Sequence, residues 1–549
     1  MKRIKFWVLV SAIATFSLVF AVCQSSRAAS PSFNIEVIGG SADVEAAPAG
    51  QTITLTPDSQ ADKAFTGWTI DPPAVIMTSA NQFIMPSFNV TVTGEFDDAS
   101  AGKIPYFITN NYAQDSSSGF MVKWHNDTDV TEQTIQVVKA GLSFGDADDI
   151  QVAGEVFESI GNGTCPSPIS LCSNAACTGT GNYPARNIFK TTVADLEPAT
   201  LYKYRIGTPG TWSNIYYHLT SGGTGINRNF SFTVVTDTQN NVFNVMRTTL
   251  RTANEFDADN RFFLIAGDIV ESIGLNPSEI ENYTKAASEF NIARPIAVTQ
   301  GNHDTYHNKV GHQFVFGEAT IFNAYVTFPD NGFEDRFDGP NRSKSYYFYY
   351  NDVLIVMLNT FATQGRTGIT VPNHAAQASW LKEILEYDKA NKLSKFRIIA
   401  THIPAFGGRG SGDDREPWLT PDVRAAYGKI CTDYNVDIFF AGHEHVYARS
   451  NPIKIGANTA LASINYGPTP GGTIYSIAGS TGPKFYDFRN PTGTANQFIP
   501  LTYPVKFDQS GISPGMFINV KVTEKKLTVT AKRVNADGVL DAYEVPVKK

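Results

Sequence analysis

FFAGHEH at residues 439–445 is an apolar run that ends in two histidines, and four other short apolar runs also end in residue types that bind metals. An apolar run of this length predicts a buried strand, and in open α/β sheets the ligand crevice lies at the carboxyl ends of the strands. We therefore predict that five strand ends bring carboxylates, an amide oxygen and imidazoles to one metal site. The other runs are VVTDTQ (234–239), LIAGD (264–268), VTQGNHD (298–304) and IIATH (398–402).

The pattern between these runs predicts the fold of the segment that carries them. From Phe230 onward, apolar runs alternate with helical patterns such as FNVMRTTLRTANEF and AAQASWLKEILEYDKA, an alternation typical of an α/β domain. After the last run the chain returns to β patterning, with FINVKVT and KLTVTAKRV. A second sheet packed on the first accommodates both halves, so we predict a four-layer α/β/β/α domain over residues 228–549.

The segment before this domain predicts two smaller β modules. Residues 33–97 alternate apolar and polar positions between Gly, Pro and Asp/Asn breaks. Within them, QTITLTPDSQADKAFTGWTI followed by FIMPSFNVTVTGEF resembles the internalin-type bacterial B-repeat. That resemblance implies a spacer or attachment module with Trp68 in its core.

Residues 104–222 are β-patterned as well and form the second predicted module. GFMVKWHN and TTVADLEPATLYKYRIG are similar to strand regions of a fibronectin type III-like sandwich. Leu196, Pro198, Tyr202 and Tyr204 match the stretch of that pattern that makes a tyrosine corner. The predicted fold is therefore multidomain, with two β modules followed by the four-layer domain.

The first 28 residues predict an export signal. MKRIKFWVLVSAIATFSLVFAVC has a basic start and an apolar stretch of ordinary signal-peptide length, and Ser26 and Ala28 suit cleavage after Ala28. No second apolar segment approaches the ~18–20 residues that span a bilayer, so we expect no membrane span. The mature protein should be periplasmic, at the cell surface or secreted. Lipidation at Cys23 is the alternative, which the preceding residues fit poorly.

Charge and cysteine usage limit the partners of the chain. It carries 44 basic and 52 acidic residues, for a net charge of −8, and the expected signal holds basic residues but no acidic ones. An acidic surface disfavours binding to nucleic acid. Cys165, Cys172 and Cys177 crowd one loop, and an oxidising compartment would favour a disulfide among them. Cys431 lies in a helical pattern, where we expect a small buried hydrophobe.

The order D-x-Q, G-D, G-N-H-D, H, G-H-E-H over residues 237–445 resembles the calcineurin-like metallophosphoesterase superfamily. GHEHVYAR also resembles the G-H-x-H-x-Y-x-R of purple acid phosphatases, as does a β-sandwich that precedes the catalytic domain. The resemblance implies two transition metal ions bridged by Asp268, with Fe, Mn or Zn suited to the mixed nitrogen and oxygen ligands. The first ion would also take Asp237, Gln239 and His445, and the second would take Asn302, His402 and His443.

The same resemblance assigns roles beside the metals. His303 would be the general acid or the histidine that contacts phosphate, and Asp304 would orient its imidazole. Two positions depart from the family patterns: Gln239 stands where the superfamily commonly has His, and Glu271 stands where purple acid phosphatases have a Tyr ligand. Tyr447 and Arg449 should brace the GHEH loop. The candidate phosphate partners are Arg366, Arg409 and Arg415.

These expectations favour an exported phosphoesterase that hydrolyses phosphomonoesters, with a hydroxide between the two metals as the nucleophile. A phosphodiesterase or nucleotide pyrophosphatase acting at the same site is the alternative within the enzyme class. The alternative from another class is a surface binding protein whose phosphoesterase fold has lost its activity. The small phosphorylated substrate itself is not specified by the sequence.

Overall fold

A computed structural model describes most of this chain. No helix among the described residues is long and apolar enough to cross a membrane. The expected export signal, Cys165, Cys172, Cys177, Arg366, Arg409 and Arg415 lie outside the described residues. The structure describes residues 31–61, 63–73, 75, 77–98, 103–146, 149–160, 184–226, 229–239, 243–273, 277–310, 313–316, 320–332, 345–360, 374–407, 419–486, 515–534 and 538–548.

The N-terminal module consists of short strands with alternating burial. In the strand Thr52–Pro57, Ile53 and Leu55 are buried while the alternating threonines are partly or fully exposed, as period-2 patterning requires. Trp68 is 1% exposed and belongs to the core, as predicted. The strands are β1 (Ser32–Ile38), β2 (Gly40–Ala42), β3 (Ala46–Pro48), β4 (Thr52–Pro57), β5 (Lys63–Asp71), β6 (Met77–Ser79), β7 (Gln82–Ile84) and β8 (Val90–Asp98). Where described, they form sheets ordered β3-β1-β8-β5 and β2-β4-β7-β6.

The second module is a β-sandwich. Its strands are β9 (Tyr106–Tyr112), β10 (Phe120–Asn126), β11 (Thr134–Lys139), β12 (Ile150–Ala153), β13 (Glu155–Ile160), β14 (Arg186–Val193), β15 (Leu201–Gly207) and β16 (Tyr216–Leu219). The described strands make two sheets, ordered β13-β14-β10-β9 and β12-β11-β15-β16. Trp124 stacks on Phe189 in the core, and the Glu197 N–H donates to the Tyr202 hydroxyl over 2.9 Å. That bond has the form of a tyrosine corner, although the fibronectin type III likeness stays a prediction.

The C-terminal segment contains two larger mixed sheets. In the described residues these are six-stranded, ordered β19-β18-β17-β28-β29-β30 and β22-β23-β24-β25-β27-β26, and β20 and β21 form a separate hairpin. Their strands are β17 (Phe230–Val235), β18 (Asn260–Ile265), β19 (Ile296–Val298), β20 (Tyr306–Val310), β21 (Gln313–Phe316), β22 (Tyr346–Tyr350), β23 (Val353–Leu358), β24 (Phe396–Thr401), β25 (Ile438–Ala441), β26 (Tyr447–Arg449), β27 (Ile474–Ala478), β28 (Met516–Val522), β29 (Lys526–Arg533) and β30 (Val539–Pro546).

Helices cover the outer faces of both sheets and complete four layers. They are α1 (Asn244–Phe256), α2 (Pro277–Asn291), α3 (Thr320–Tyr325), α4 (His374–Asn391) and α5 (Leu419–Asp433), with 3-10 turns at His303–Thr305 and Leu461–Ser463. Strand β23 shows the layering. Ile355 and Met357 pack between the two sheets, whereas Leu354 and Val356 pack outward with α4 and α5. The predicted α/β/β/α architecture is thereby confirmed.

Buried polar side chains join the sandwich to the C-terminal domain. Nζ of Lys123 donates to the Val326 carbonyl over 2.7 Å, and Arg186 pairs with Glu281 over 2.8 Å. Lys123 and Arg186 are each 2% exposed, so removing the partner of either would leave a buried charge uncompensated. Tyr112 of the sandwich also belongs to the apolar cluster that fills the C-terminal domain. The two domains therefore share one interior.

The N-terminal module is attached to both of its neighbours. The Tyr217 hydroxyl of the sandwich donates to the Trp68 carbonyl. The buried Arg294 side chain of the C-terminal domain donates to the Met77 carbonyl over 2.7 Å. The module thus packs on the rest of the chain through buried hydrogen bonds.

Two buried histidines make the stability of this assembly depend on pH. His218 stacks on Phe120 with ring centroids 4.2 Å apart, and its ring nitrogens have no hydrogen-bond partner in the described part of the chain. Burial lowers the pKa of His218 and of His125 to about 3. An unfolded histidine titrates near pH 6.5, so below that pH the unfolded chain binds protons that the folded chain does not. Stability is therefore complete above about pH 6.5 and is lost as the pH falls toward 3.

We expect His218→Phe to flatten this pH dependence, because phenylalanine keeps the stacked ring and removes one titrating group. Between about pH 7 and about pH 5, the free energy of unfolding should fall by about 2 kcal/mol less in the variant than in the wild type. Urea denaturation at several pH values, followed by tryptophan fluorescence, measures the two slopes. Equal slopes would contradict the prediction, whatever the absolute stabilities of the two proteins.

Candidate metal centre

The predicted ligands follow strands that end at a common edge. Strands β17, β18 and β19 run parallel, and Asp237, Asp268 and Asn302 follow their carboxyl ends. In the second sheet β24 and β25 run parallel, and His402 and His443 follow them directly or after one glycine. Since the carboxyl ends of parallel strands lie at one edge of a sheet, the two sheets bring these side chains together.

Two clusters of potential ligand atoms occur in the described part of the chain. One contains Asp268, His402 and His443, and the other contains Asp237, Asp268 and His445. Within each cluster the ligand atoms lie within 4.8 Å of one another. Asp268 is common to both clusters, which is the arrangement that a carboxylate bridging two metal ions requires.

His402 presents its ring to the site in a fixed orientation. Nδ1 lies 2.8 Å from the Ala266 carbonyl oxygen, which can only accept, so Nδ1 carries the hydrogen. Nε2 then faces the Asn302 Oδ1 at 3.0 Å and the Asp268 Oδ2 at 3.1 Å. A lone pair facing two oxygens is stable only with a proton or a cation between them. Burial lowers the pKa of His402, but the Asp268 and Asp237 carboxylates outweigh it and raise the pKa to about 9.

His445 and His443 repeat this arrangement. Nδ1 of His445 donates to the Lys484 carbonyl over 2.8 Å, and its Nε2 lies 3.1 Å from the Asp237 Oδ1. Nδ1 of His443 lies 2.9 Å from the Asn302 Oδ1, so that amide oxygen stands between two imidazoles. Ring nitrogens directed at oxygen atoms are what a site for mixed nitrogen and oxygen ligation offers, so the residues present fit a divalent cation.

Gln239 is the first departure from the superfamily pattern, and its surroundings fit a ligand. The side chain is 2% exposed, and neither amide atom has a hydrogen-bond partner among the described residues. A buried polar group without a hydrogen-bond partner lowers the stability of the fold by about 1–3 kcal/mol. A buried amide of this kind is therefore expected where a bound ion or ligand supplies the missing partner. A metal ion that binds Oε1 would satisfy the oxygen of this amide.

The backbone at the site is held in an unusual conformation. Asp237, Asp268, His443 and His445 have φ angles of 51°, 53°, 72° and 50°, in the left-handed region. Residues with a Cβ occupy this region at an energetic cost of order 1–3 kcal/mol each, and such strain clusters at functional sites. The tight left-handed turns place His443 and His445, two residues apart in the GHEH loop, in different clusters.

Asp304 has a different neighbour from the one predicted. Its carboxylate accepts from the backbone N–H groups of Gly301, Asp268 and Ile269 at 2.8, 3.0 and 2.9 Å. These bonds hold the turn that carries Asp268 against the turn that carries Asn302. Burial and the Asp268 charge raise the pKa of Asp304 to about 8, although its N–H donors act in the opposite direction.

The imidazole of His303 is oriented by a backbone carbonyl. Its Nδ1 donates to the Glu271 oxygen over 2.7 Å, which corrects the expectation that Asp304 orients the ring. Nε2 therefore points toward the site, 3.9 Å from the Asp268 Oδ2. Burial lowers the pKa of His303, and the carboxylates of Asp268 and Glu271 act against that shift. Sequence patterns gave no signal for this carbonyl, since every residue has one.

Glu271 and Lys484 form an ion pair beside the site, and the sequence patterns did not predict this pair. The Glu271 side chain is about half exposed and lies 3.5 Å from Nζ of Lys484. It is absent from both clusters of potential ligands. Tyr447 and Arg449 brace the GHEH loop, since both side chains bond to Asp541 of β30.

Hydrogen bonds join the two sheets directly below the site. Oγ1 of Thr299 donates to the Leu358 carbonyl over 2.7 Å, and Nδ2 of Asn359 donates to Oε1 of Gln300 over 2.9 Å. Thr299 and Gln300 lie between the end of β19 and Asn302, and Leu358 and Asn359 lie at the end of β23. The strand ends of the two sheets are thereby fixed relative to each other.

Comparison with protein families assigns the segment that carries this site. Residues 230–447 match the family model of the calcineurin-like phosphoesterases, and residues 36–100 match the divergent InlB B-repeat domain. Along the chain, the B-repeat match therefore precedes the calcineurin-like phosphoesterase match, and both resemblances drawn from the motifs are confirmed.

Within that class, the chain is similar to purple acid phosphatases. It is 24% identical over 324 residues to purple acid phosphatase 18 of Arabidopsis thaliana, covering 58% of this chain and 65% of that protein. It is 27% identical over 195 residues to purple acid phosphatase 23 of the same plant, covering 34% of each. These matches span less than two thirds of the length of either relative.

Solved structures support the same fold. A purple acid phosphatase, PPD1 from yellow lupin (Lupinus luteus) seeds, superimposes with a TM-score of 0.57 at 13% identity, over 93% of this chain and 95% of that one. The structure of PhoD superimposes with a TM-score of 0.51 at 11% identity, over 82% of this chain and 92% of that one. At these identities the likeness shows the fold alone.

Gly301 allows the two turns of the site to meet. A Cβ at this position would overlap the Oδ1 and backbone N of Asp268. Gly301→Ala should therefore displace the shared carboxylate and reduce the metal content of the purified protein to about half or less, since second-layer changes at metal sites cost 10–100-fold in affinity. Elemental analysis after dialysis measures the loss.

Gly456→Ala is the matched control, because a Cβ there meets nothing within 4 Å. It should keep the wild-type metal content and the wild-type circular dichroism spectrum. Full metal content in Gly301→Ala would mean that the close contact with Asp268 does not shape the site.

Proposed function

We propose that this protein is a phosphoesterase with two metal ions that hydrolyses phosphomonoesters. The observation that carries the proposal is the pair of ligand clusters sharing Asp268 at the edge where two sheets meet. The similarity to purple acid phosphatases supports the phosphatase reading over other chemistries.

The residues fit two ions of the Fe, Mn or Zn type. Asp237, Gln239 and His445 would complete one site, and Asn302, His402 and His443 the other, with Asp268 between them. Imidazole nitrogens beside carboxylate and amide oxygens suit these metals better than calcium, which prefers oxygen ligands alone. Carbonyls at Ala266 and Lys484 fix the ring orientations, so the ligands are ready before an ion arrives.

Two divalent ions, when bound, supply positive charge for a phosphoryl group and make water a nucleophile at neutral pH. The chain contributes the positioning. The buried carboxylates and rings of the site exclude solvent below the ions, and Asp304 holds the turns that carry Asp268 and Asn302. Because Nδ1 of His303 donates to the Glu271 carbonyl, Nε2 is the ring atom that can take up and release a proton. From that position it assists the departing oxygen of the substrate.

A paired assay with metal analysis tests this function. The purified protein should hold up to two transition metal ions per chain and hydrolyse nitrophenyl phosphate faster than bis-nitrophenyl phosphate. Asp268→Asn should lose at least one ion and about 10³-fold or more in turnover, because one carboxylate serves both ions. Asp433→Asn, which alters an exposed carboxylate paired with Lys429, is the control and should behave as wild type.

Two other outcomes would redirect the proposal. Faster hydrolysis of the diester would favour a phosphodiesterase or pyrophosphatase. The presence of Gln239, where the superfamily commonly has His, is compatible with such a change in specificity. A protein that holds no metal and cleaves neither substrate would favour a surface binding protein with a degenerate phosphoesterase fold.

His303 should matter most when the leaving group is poor. His303→Gln should lower kcat by about 10²–10⁴-fold on an alkyl phosphate such as glycerol phosphate, since an alkoxide needs a proton as it departs. The loss on nitrophenyl phosphate should be smaller, because nitrophenolate leaves without one. Metal content should stay at the wild-type level. Equal losses on both substrates would contradict a role as general acid and point to phosphate contact instead.

Export is part of the proposal. The basic and apolar segment before Ala28 supports it, and the B-repeat module is of a type compatible with an extracellular protein. Mass spectrometry of the N-terminus of the protein recovered outside the cytoplasm should find Ala29 as the first residue.

A further inference from the structure

Lys484 lies beside the metal centre although no motif contains it. The residue follows β27, and its carbonyl accepts the Nδ1 hydrogen of His445 over 2.8 Å. The ring of Tyr486, two residues further on, contacts the His445 ring at a centroid distance of 4.9 Å. The backbone of Lys484 is therefore fixed against a predicted metal ligand.

The side chain of Lys484 reaches from His445 toward His303. Its Nζ lies 3.5 Å from Oε1 of Glu271, and the same oxygen lies 3.7 Å from Nδ1 of His303. Nζ also lies 5.9 Å from the centroid of the Tyr486 ring. Lys484 thus orients the predicted ligand His445 through its carbonyl. Its ammonium group lies beside the Glu271 carboxylate, which also approaches His303, the histidine predicted to meet the substrate.

The ion pair that Lys484 makes in the absence of substrate is weak. Its side chain is 33% exposed and that of Glu271 is 49% exposed, and the pair is long for a charged hydrogen bond. Exposed pairs of this kind contribute little to stability because water screens them. An anion that enters the site can therefore take the ammonium from Glu271 at little cost.

The charge of Lys484 acts on the centre itself. A lysine ammonium is cationic at neutral pH. In a chain with a net charge of −8, a fixed cation at this position is a local attraction for anions.

We propose that Lys484 determines specificity for phosphomonoester dianions by contacting a non-bridging phosphoryl oxygen. The inference rests on the proposed function of the same site. A monoester carries two negative charges on its phosphoryl group at neutral pH and a diester carries one, so a fixed ammonium attracts the monoester more strongly. Glu271 is then the residue that holds the ammonium until the substrate arrives, and its side chain need not ligate a metal.

The test compares Lys484→Met with the wild type on nitrophenyl phosphate and bis-nitrophenyl phosphate. The kcat/KM for the monoester should fall by about 10–100-fold, mainly through KM, while the value for the diester changes by less than about threefold. The inhibition constant of inorganic phosphate should rise about tenfold. Lys484→Arg should restore most of the ratio between the two substrates. Lys526→Met, which removes an exposed lysine paired with Glu544, should leave both rates unchanged.

Metal content decides between specificity and structural support. Lys484→Met should keep the wild-type content, and Glu271→Gln should keep it as well while the KM for the monoester stays equal or falls. Parallel losses on both substrates, or loss of metal from Lys484→Met, would overturn the proposal. Loss of metal from Glu271→Gln would show that Glu271 is a ligand and would overturn the part assigned to it.

The proposal is separable from the proposed function. If the wild-type protein holds metal but cleaves neither substrate, the phosphatase function fails, and calorimetry with inorganic phosphate then tests Lys484 directly. Phosphate binding to metal-loaded Lys484→Met that is about tenfold weaker than to the wild type would support the anion site. Equal affinity would overturn it.

Discussion

The sharing of Asp268 between two ligand clusters is the constraint on which the rest of the catalytic domain depends. One cluster also takes two histidines from the second sheet and the other takes one, so neither sheet can form a complete site alone. Ligand geometry at metals tolerates errors of only about 0.2 Å, whereas sheets that merely pack can slide by more. The hydrogen bonds from Thr299 and Asn359 across the sheets, directly below the ligands, restrict that sliding.

The β-sandwich reaches the same region through a short chain of contacts. Nδ2 of Asn111 in β9 donates to the Tyr346 hydroxyl over 3.3 Å, and that hydroxyl donates to the Val298 carbonyl over 3.1 Å. Val298 is the last residue of β19, four positions before Asn302. A buried polar group from the sandwich therefore supports the strand that leads into the G-N-H-D turn. The sandwich is part of the framework of the centre rather than an independent appendage.

Local patterns in the sequence were sufficient for the layered fold, and they also predict ligand positions that include every residue of the two clusters. The run FNVMRTTLRTANEF predicts a helix, and α1 occupies Asn244–Phe256. The strand-end rule needs only an apolar run and the residues after it, which is why Asp237, Asp268 and His402 were found. The possible lipidation of Cys23, the disulfide in the cysteine-rich loop and the three arginines as phosphate partners concern residues outside the described ranges. They stay predictions.

Contacts between distant backbone atoms were beyond the reach of those patterns. His303 bonds to a carbonyl 32 residues away and His445 to one 39 residues away, and any residue type supplies a carbonyl. Asp304 was expected to orient the imidazole of His303. Instead, with the 3-10 turn at His303–Thr305, its carboxylate accepts hydrogen bonds from the turns that carry Asp268 and Asn302. Lys484 has no signal in the sequence because its importance comes only from where the chain returns after β27.

The burial of Lys123, Arg186 and Arg294 at the domain junctions has a consequence for how the protein meets its surroundings. A module joined by a flexible linker lets an enzyme turn freely on its tether. Here hydrogen bonds from Tyr217 and Arg294 hold the B-repeat module to both of its neighbours. A partner that binds the B-repeat module therefore also fixes the orientation of the metal centre relative to that partner.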